Sequence, residues 1–217
     1  MITTILNRVR HLQRNRYKDL GFSESHTPQM GMHGAPEHNP EMLLIGCVDA
    51  RLDPHADIGI PNGKALIYRN IAALVAGRDG GAGDRLSVAA ALEFAVKRMQ
   101  VQKIVVMGHT ACGGIRAFLQ GDNEDTHYIH DYLMPLEQVR LDELKKGVSE
   151  EEQARAMEKA AVLFSLENLL TYDVVSEAVA AGKLRLHGWL LDTGNKLIWE
   201  RDATTGHFYP IGSKELE

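Results

Sequence analysis

Two cysteines and one histidine are the residues of this chain best suited to chemistry. Cys47 ends the apolar run Leu43-Leu44-Ile45-Gly46, and His109 and Cys112 follow Ile104-Val105-Val106-Met107-Gly108 as a His-x-x-Cys pair. Thiolate and imidazole donors suit zinc. Two thiolates and one imidazole leave the fourth position of a tetrahedral ion free, which marks a catalytic site rather than a structural one. Either cysteine alone reads as a small buried hydrophobe, the commonest fate of a free thiol. That reading does not account for both cysteines lying just past strand-like runs, with His109 beside one and Asp49 two positions after the other. Asp49 and Arg51 alternate and can point the same way. The carboxylate can bind the metal and close the site, or it can accept a hydrogen bond there while the planar fork of Arg51 holds it. A plain surface ion pair would be worth little.

Such a set works only if separate elements bring it together. Met42–Cys47 and Ile104–Met107 are continuous apolar runs of strand length, and Ala65–Tyr68 is a third. Asp84–Val101 carries a helical stripe with Asp84 as N-cap, Cys112–Leu119 begins another helix, and Asp122–Asp131 reads as loop. Ser149-Glu150-Glu151-Glu152 resembles a capping box opening a helix to about Leu170; Asp173–Ala181 is a shorter helix stopped by Gly182. Leu184–Leu191 and Leu197–Glu200 read as strands joined across Asp192–Asn195. Strands alternating with helices, each strand nearly all apolar, predict an α/β fold: a mainly parallel central sheet flanked by helices, with an antiparallel edge strand and an N-terminal helical arm. In open sheets of this kind, sites form beyond the carboxyl ends of the strands, where Cys47 and His109 stand.

The bulk properties agree. At 217 residues the chain fits one large domain, with residues 1–41 as a helix and arm and 42–217 as the α/β zinc-binding body. A net charge of −5, with basic residues spread out among acids, argues against nucleic acid as a partner. No apolar stretch is long enough to span a bilayer. Met1–Arg16 is arginine-rich and acid-free like a transit peptide, but Ile2, Ile5, Leu6, Val9 and Leu12 recur at helical spacing and favour an amphipathic helix. Two cysteines fit a reducing compartment, and the cytoplasm is the expected location. The stretch 77–83 is rich in glycine but lacks the Gly-Lys-Ser/Thr ending of a phosphate loop.

Cys47-Val48-Asp49-Ala50-Arg51, Arg69-Asn70 and His109-Thr110-Ala111-Cys112-Gly113-Gly114 closely resemble the signature of the β-class carbonic anhydrases. The resemblance extends to Ala91–Ala95, to Ser165-Leu166-Glu167-Asn168-Leu169-Leu170 and to Leu186-His187-Gly188-Trp189. It implies a lyase, a carbonate dehydratase that reversibly hydrates carbon dioxide to bicarbonate through a zinc-bound hydroxide. It implies Cys47, His109 and Cys112 as ligands of one zinc ion per subunit, with Asp49 and Arg51 as the catalytic dyad. Asp49 becomes a ligand only if the site is closed. It also implies a homodimer, pairing further into a tetramer, whose N-terminal helix embraces the partner.

The expected substrate pocket comprises His38, Leu66, Ile71, Phe94 and Gly113. There His38 stands in place of the family's glutamine, Leu66 of a phenylalanine, Ile71 of a valine and Phe94 of a tyrosine. The apolar exchanges keep the pocket dry, while the lost amide and hydroxyl remove hydrogen bonds; His38 either replaces the amide or lies exposed in a loop. Leu44 occupies the place of the tryptophan found in bicarbonate-inhibited members, which favours an open site. Three alternatives differ in kind: hydrolysis of carbonyl sulfide or carbon disulfide on the same zinc, a non-catalytic bicarbonate-sensing scaffold, and thiol redox chemistry.

Overall fold

Residues that are apolar on both faces of a strand are stable only in the middle of a covered sheet. β1 (Met42–Cys47) and β3 (Lys103–His109) are of this type, buried at nearly every position. A computed structural model describes residues 2–19, 38–79, 85–121, 125, 127–143 and 148–212. In chain order the elements are α1 (Ile2–Asp19), β1, α2 (Pro54–Ile58), β2 (Ala65–Asn70), α3 (Arg85–Glu93), β3, α4 (Gly113–Gln120), α5 (His127–Leu133), α6 (Glu137–Glu143), α7 (Glu150–Leu169), α8 (Asp173–Ala180), β4 (Arg185–Leu191), β5 (Ile198–Arg201) and β6 (Phe208–Pro210).

The strands form one sheet in the order β2-β1-β3-β4-β5-β6. The first four are parallel, and β5 and β6 add on antiparallel. The expected antiparallel edge is thus two strands wide. β6 escapes the sequence pattern because it is only three residues long and ends in Pro210, a residue tolerated at a sheet edge.

Alternate residues of the strands feed two cores, one on each face. Leu43, Ile45, Ile104 and Val106 join the first, and Leu44, Val105 and Met107 the second, which also takes in Cys47 and Cys112. α7 lies close on the sheet because glycines leave room. A Cβ at Gly108 would come within 2.6 Å of Val162, and one at Gly188 within 2.8 Å of Leu166. α7 starts with the expected capping box: Glu152 N–H donates to Ser149 Oγ, and Ser149 N–H donates to the Glu152 carboxylate.

The helix before β3 ends in a π-helical turn, Phe94–Arg98. Part of the predicted loop 122–131 is instead the start of α5, because Leu133 inserts fully into the second core. Asp84, residues 20–37 and residues 80–83 of the glycine-rich stretch 77–83 lie outside the described residues. Contacts divide the chain into two units, residues 1–37 and 38–217. In the first, Ile5, Leu6, Val9 and Leu12 of α1 are exposed.

Candidate metal centre

Parallel pairing of β1 with β3 sets their carboxyl ends side by side, since Gly46 lies opposite Met107. Cys47 is the last residue of β1 and His109 the last of β3. After His109 the chain turns through Ala111, which sits in the left-handed region at φ 56, and Cys112 then caps α4. A non-glycine residue there is strained, and here the strain swings Cys112 back beside His109. The donor atoms of Cys47, His109 and Cys112 all lie within 4.8 Å of one another, and all three residues are buried.

The chemistry of this set fits a divalent cation. His109 is only 1% exposed, and its Nε2 is buried without a hydrogen-bond partner. Its Nδ1 lies 3.0 Å from the Thr110 carbonyl. A carbonyl only accepts, so Nδ1 carries the proton and Nε2 presents a lone pair. Burial is the largest single effect and pushes the imidazole pKa down, but Cys47, the Thr110 carbonyl and Asp49 together raise it overall. The two thiols share a proton unequally. A hydrogen bond from Cys112 brings Cys47 down to about 4 against the opposing effect of burial, with His109 helping. Cys112 is pushed far up, first by Cys47 and then by burial. Two sulfurs this close hold one negative charge unaided and need a cation to hold two. Zinc is the cation this donor set suits, and the three side chains leave room for a fourth ligand.

Asp49 and Arg51 form the expected pair beside this triad. Arg51 Nε donates to Asp49 Oδ1 at 2.9 Å and Nη2 to Oδ2 at 2.7 Å, a two-pronged grip. Arg51 Nη2 also donates to the Ala111 carbonyl at 2.9 Å, tying the dyad to the His-x-x-Cys turn. The guanidinium holds the Asp49 carboxyl well below the usual carboxylate range, by more than burial raises it. Asp49 Oδ2 lies 3.9 Å from His109 Nε2, so the carboxylate borders the donor triad while remaining on Arg51.

Neighbouring residues hold these groups in place. Arg69 Nε donates to the Cys47 carbonyl at 2.8 Å and Nη2 to the Asp49 carbonyl at 2.7 Å. Glu158 of α7, 2% exposed, accepts the Cys112 N–H at 2.9 Å and pairs with Arg155 at 2.7 Å. Arg155 in turn pairs with Glu151, and Glu151 with Arg116 of α4. The sequence reading missed Glu158; the one available signal is its register with Met157, Ala161 and Ser165 on the buried face of α7. The segment after β2 runs through left-handed Ala72 and Ala73 and is tied down from α7 and beyond. Ser165 Oγ accepts the Val75 N–H, Asn168 donates to the Val75 carbonyl and Tyr172 to the Ala76 carbonyl.

The expected pocket residues are placed unevenly. Ile71 packs on the second core, and its side chain meets the position a Cβ on Gly114 would take, at 2.7 Å. Gly113 opens α4 next to Cys112 and is exposed. Leu66 packs against the first core, whereas Cys47 belongs to the second. Phe94 is 46% exposed in the π-helical turn, and His38 is exposed ahead of β1.

Residues 42–198 match the family model described as carbonic anhydrase. The chain is 34% identical over 187 residues to beta carbonic anhydrase 6, mitochondrial, of Arabidopsis thaliana, covering 82% of this chain and 63% of that one. It is 37% identical over 155 residues to beta carbonic anhydrase 5, chloroplastic, of the same plant, covering 69% and 50%. It therefore spans between half and two thirds of the length of these relatives. A solved structure from Sordaria macrospora, one of two described as tetrameric beta-carbonic anhydrases, superposes with a TM-score of 0.73 at 28% identity. That match covers 94% of this chain and 99% of that one. With the cysteine–histidine–cysteine triad at the carboxyl edge of this sheet, the chain belongs to the β-class carbonic anhydrase family.

Proposed function

We propose that the chain is a zinc-dependent carbonic anhydrase that interconverts carbon dioxide and bicarbonate. The observation that carries this reading is the buried Cys47, His109 and Cys112 triad with the Asp49–Arg51 pair beside it. Zinc held there supplies Lewis acidity, which lowers the pKa of a water to about 7, as in three-histidine carbonic anhydrases, and provides hydroxide at neutral pH.

The protein's part is positioning and proton bookkeeping. Asp49 stays ionised at working pH because Arg51 holds it. An ionised carboxylate only accepts hydrogen bonds, so Asp49 would accept the proton side of a hydroxyl held beside the triad. Arg51, anchored on the Ala111 carbonyl, holds that carboxylate and would favour the open form of the site. Ile71 supplies an apolar wall for carbon dioxide, and Gly113 keeps the approach to Cys112 clear. Leu66, Phe94 and His38 are the remaining proposed pocket residues.

The partner is a second copy of the chain. The tetrameric relative and the exposed apolar residues of α1 support a homodimer that pairs further. Two free thiols favour a reducing compartment such as the cytoplasm. Among the described residues no helix is long and apolar enough to cross a membrane.

Stopped-flow hydration of carbon dioxide, run with metal analysis, tests the reading. One zinc per chain with rapid hydration is the expected result. Sulfide release from carbonyl sulfide without hydration would move the chemistry to the sulfur substrate, and absence of zinc at every pH would leave a non-catalytic scaffold.

A further inference from the structure

The turn joining β4 to β5 reaches both halves of the metal centre. Thr193 N–H donates to Thr110 Oγ1 at 2.9 Å, and Thr193 Oγ1 donates to the Thr110 carbonyl at 3.2 Å. That carbonyl is also the one that takes the His109 Nδ1 proton. Three residues on, Lys196 Nζ donates to the Arg51 carbonyl at 2.7 Å and pairs with Asp57 Oδ1 at 3.0 Å. The Asp57 side chain, on α2, is almost fully buried, and its second oxygen accepts the Asp53 N–H at 2.9 Å. The ammonium thus bridges the loop that carries the dyad to a fixed acid.

Lys196 makes this bridge from an unfavourable backbone. Its φ is 65, in the left-handed region where a Cβ is crowded and glycine is comfortable. A lysine in that conformation directs attention to what its side chain does. Its side chain is half exposed and belongs to neither core, so the ammonium's two contacts are what it contributes.

We propose that Lys196 is a positioning residue for the Asp49–Arg51 pair. By fixing the Arg51 carbonyl it restrains the loop after β1 and keeps Asp49 on the guanidinium rather than on the metal. It touches neither substrate nor ligands, and the inference rests on the zinc-site reading given above.

The test compares full-length wild type with Lys196→Gly, Lys196→Arg and Asp57→Asn by zinc content, thermal denaturation, hydration kinetics and crystal structure. Glycine suits the backbone, so Lys196→Gly should fold with an unchanged or higher Tm and keep its zinc. Its crystal structure should show Asp49 detached from Arg51, and kcat should fall about tenfold with KM nearly constant. Lys196→Arg, with a cation of similar reach, should restore the pair and the rate. Asp57→Asn should give a smaller loss in the same direction. An intact Asp49–Arg51 pair in Lys196→Gly overturns the proposal whatever the rate. A wild-type chain that binds no zinc sinks the metal reading instead, and the geometry of the pair in Lys196→Gly then decides the role of Lys196 alone.

Discussion

Asp49 and Glu158 are two carboxylates with opposite surroundings. Asp49 is 16% exposed and gripped by Arg51; Glu158 is sealed beneath Cys112. Asp49→Asn keeps the shape but replaces one acceptor oxygen with a donor and discards the ion pair. It should lower kcat by about 100-fold while leaving zinc content intact, measured by stopped flow and metal analysis on the same preparation. Glu158→Ala should act on the fold instead. It leaves the buried Cys112 N–H without its acceptor and takes from Arg155 one of its two carboxylate partners, at a cost of about 1–3 kcal/mol, read from urea denaturation. The two sites also differ in how they show in a sequence. Cys47, His109, Cys112, Asp49 and Arg51 sit in two short segments at strand ends, so their types and spacing announce a shared purpose. Glu158 reaches Cys112 from 46 residues away, and a lone acid in an acid-rich helix looks like solvated surface until the helix is docked.

At the scale of elements, α7 is both a wall of the core and a clamp. Its capping box fixes where it begins, and Ser149→Ala should cost about 1 kcal/mol. The paired Glu152 has its pKa lowered by hydrogen bonds from Ser149, first from the hydroxyl and then from the backbone N–H. A carboxyl whose folded pKa is depressed stabilises the fold above its unfolded value and loses that contribution as pH falls through the folded one. Glu152→Ala should therefore lower the urea midpoint at neutral pH and merge with wild type at strongly acid pH. Further along, Ser165, Asn168 and the nearby Tyr172 satisfy the irregular backbone 73–76. Tyr172→Phe strips one buried carbonyl of its donor and should cost about 1–2 kcal/mol by the same measurement. This clamp explains why Ser165 to Leu170 belongs to the family pattern although it touches no metal ligand. The parallel strands and α7 were legible because apolar runs and caps are local signals. α2, α6 and β6 were not, being five, seven and three residues long and held by tertiary contacts rather than by their own periodicity.

For the whole molecule, the two cores meet the site unequally. Cys47 and Cys112 belong to the core that also holds Met107, Phe118 and Met157, so metal binding and packing on that face share residues. Zinc that binds the folded chain and not the unfolded one adds directly to stability. Removing it with a chelator should lower Tm by several degrees, and restoring it should return both Tm and activity; an unchanged Tm would mean that the triad holds no metal. The parallel core followed from buried strands alternating with helices. The strand order and the width of the antiparallel edge did not, because strand adjacency and short edge strands leave faint marks in a single chain.

The bracket from Lys196 to Arg51 closes across 145 residues, and Thr193 reaches Thr110 across 83. During synthesis both cysteines and the histidine leave the ribosome well before the segment that steadies them. A nascent chain paused between Cys112 and Asp192 would carry two reactive thiols without their final support, exposed to oxidants and to the wrong ions. Rapid synthesis of the stretch from Cys112 to Lys196 would therefore protect the site, and slowing translation there should raise the share of oxidised, inactive product.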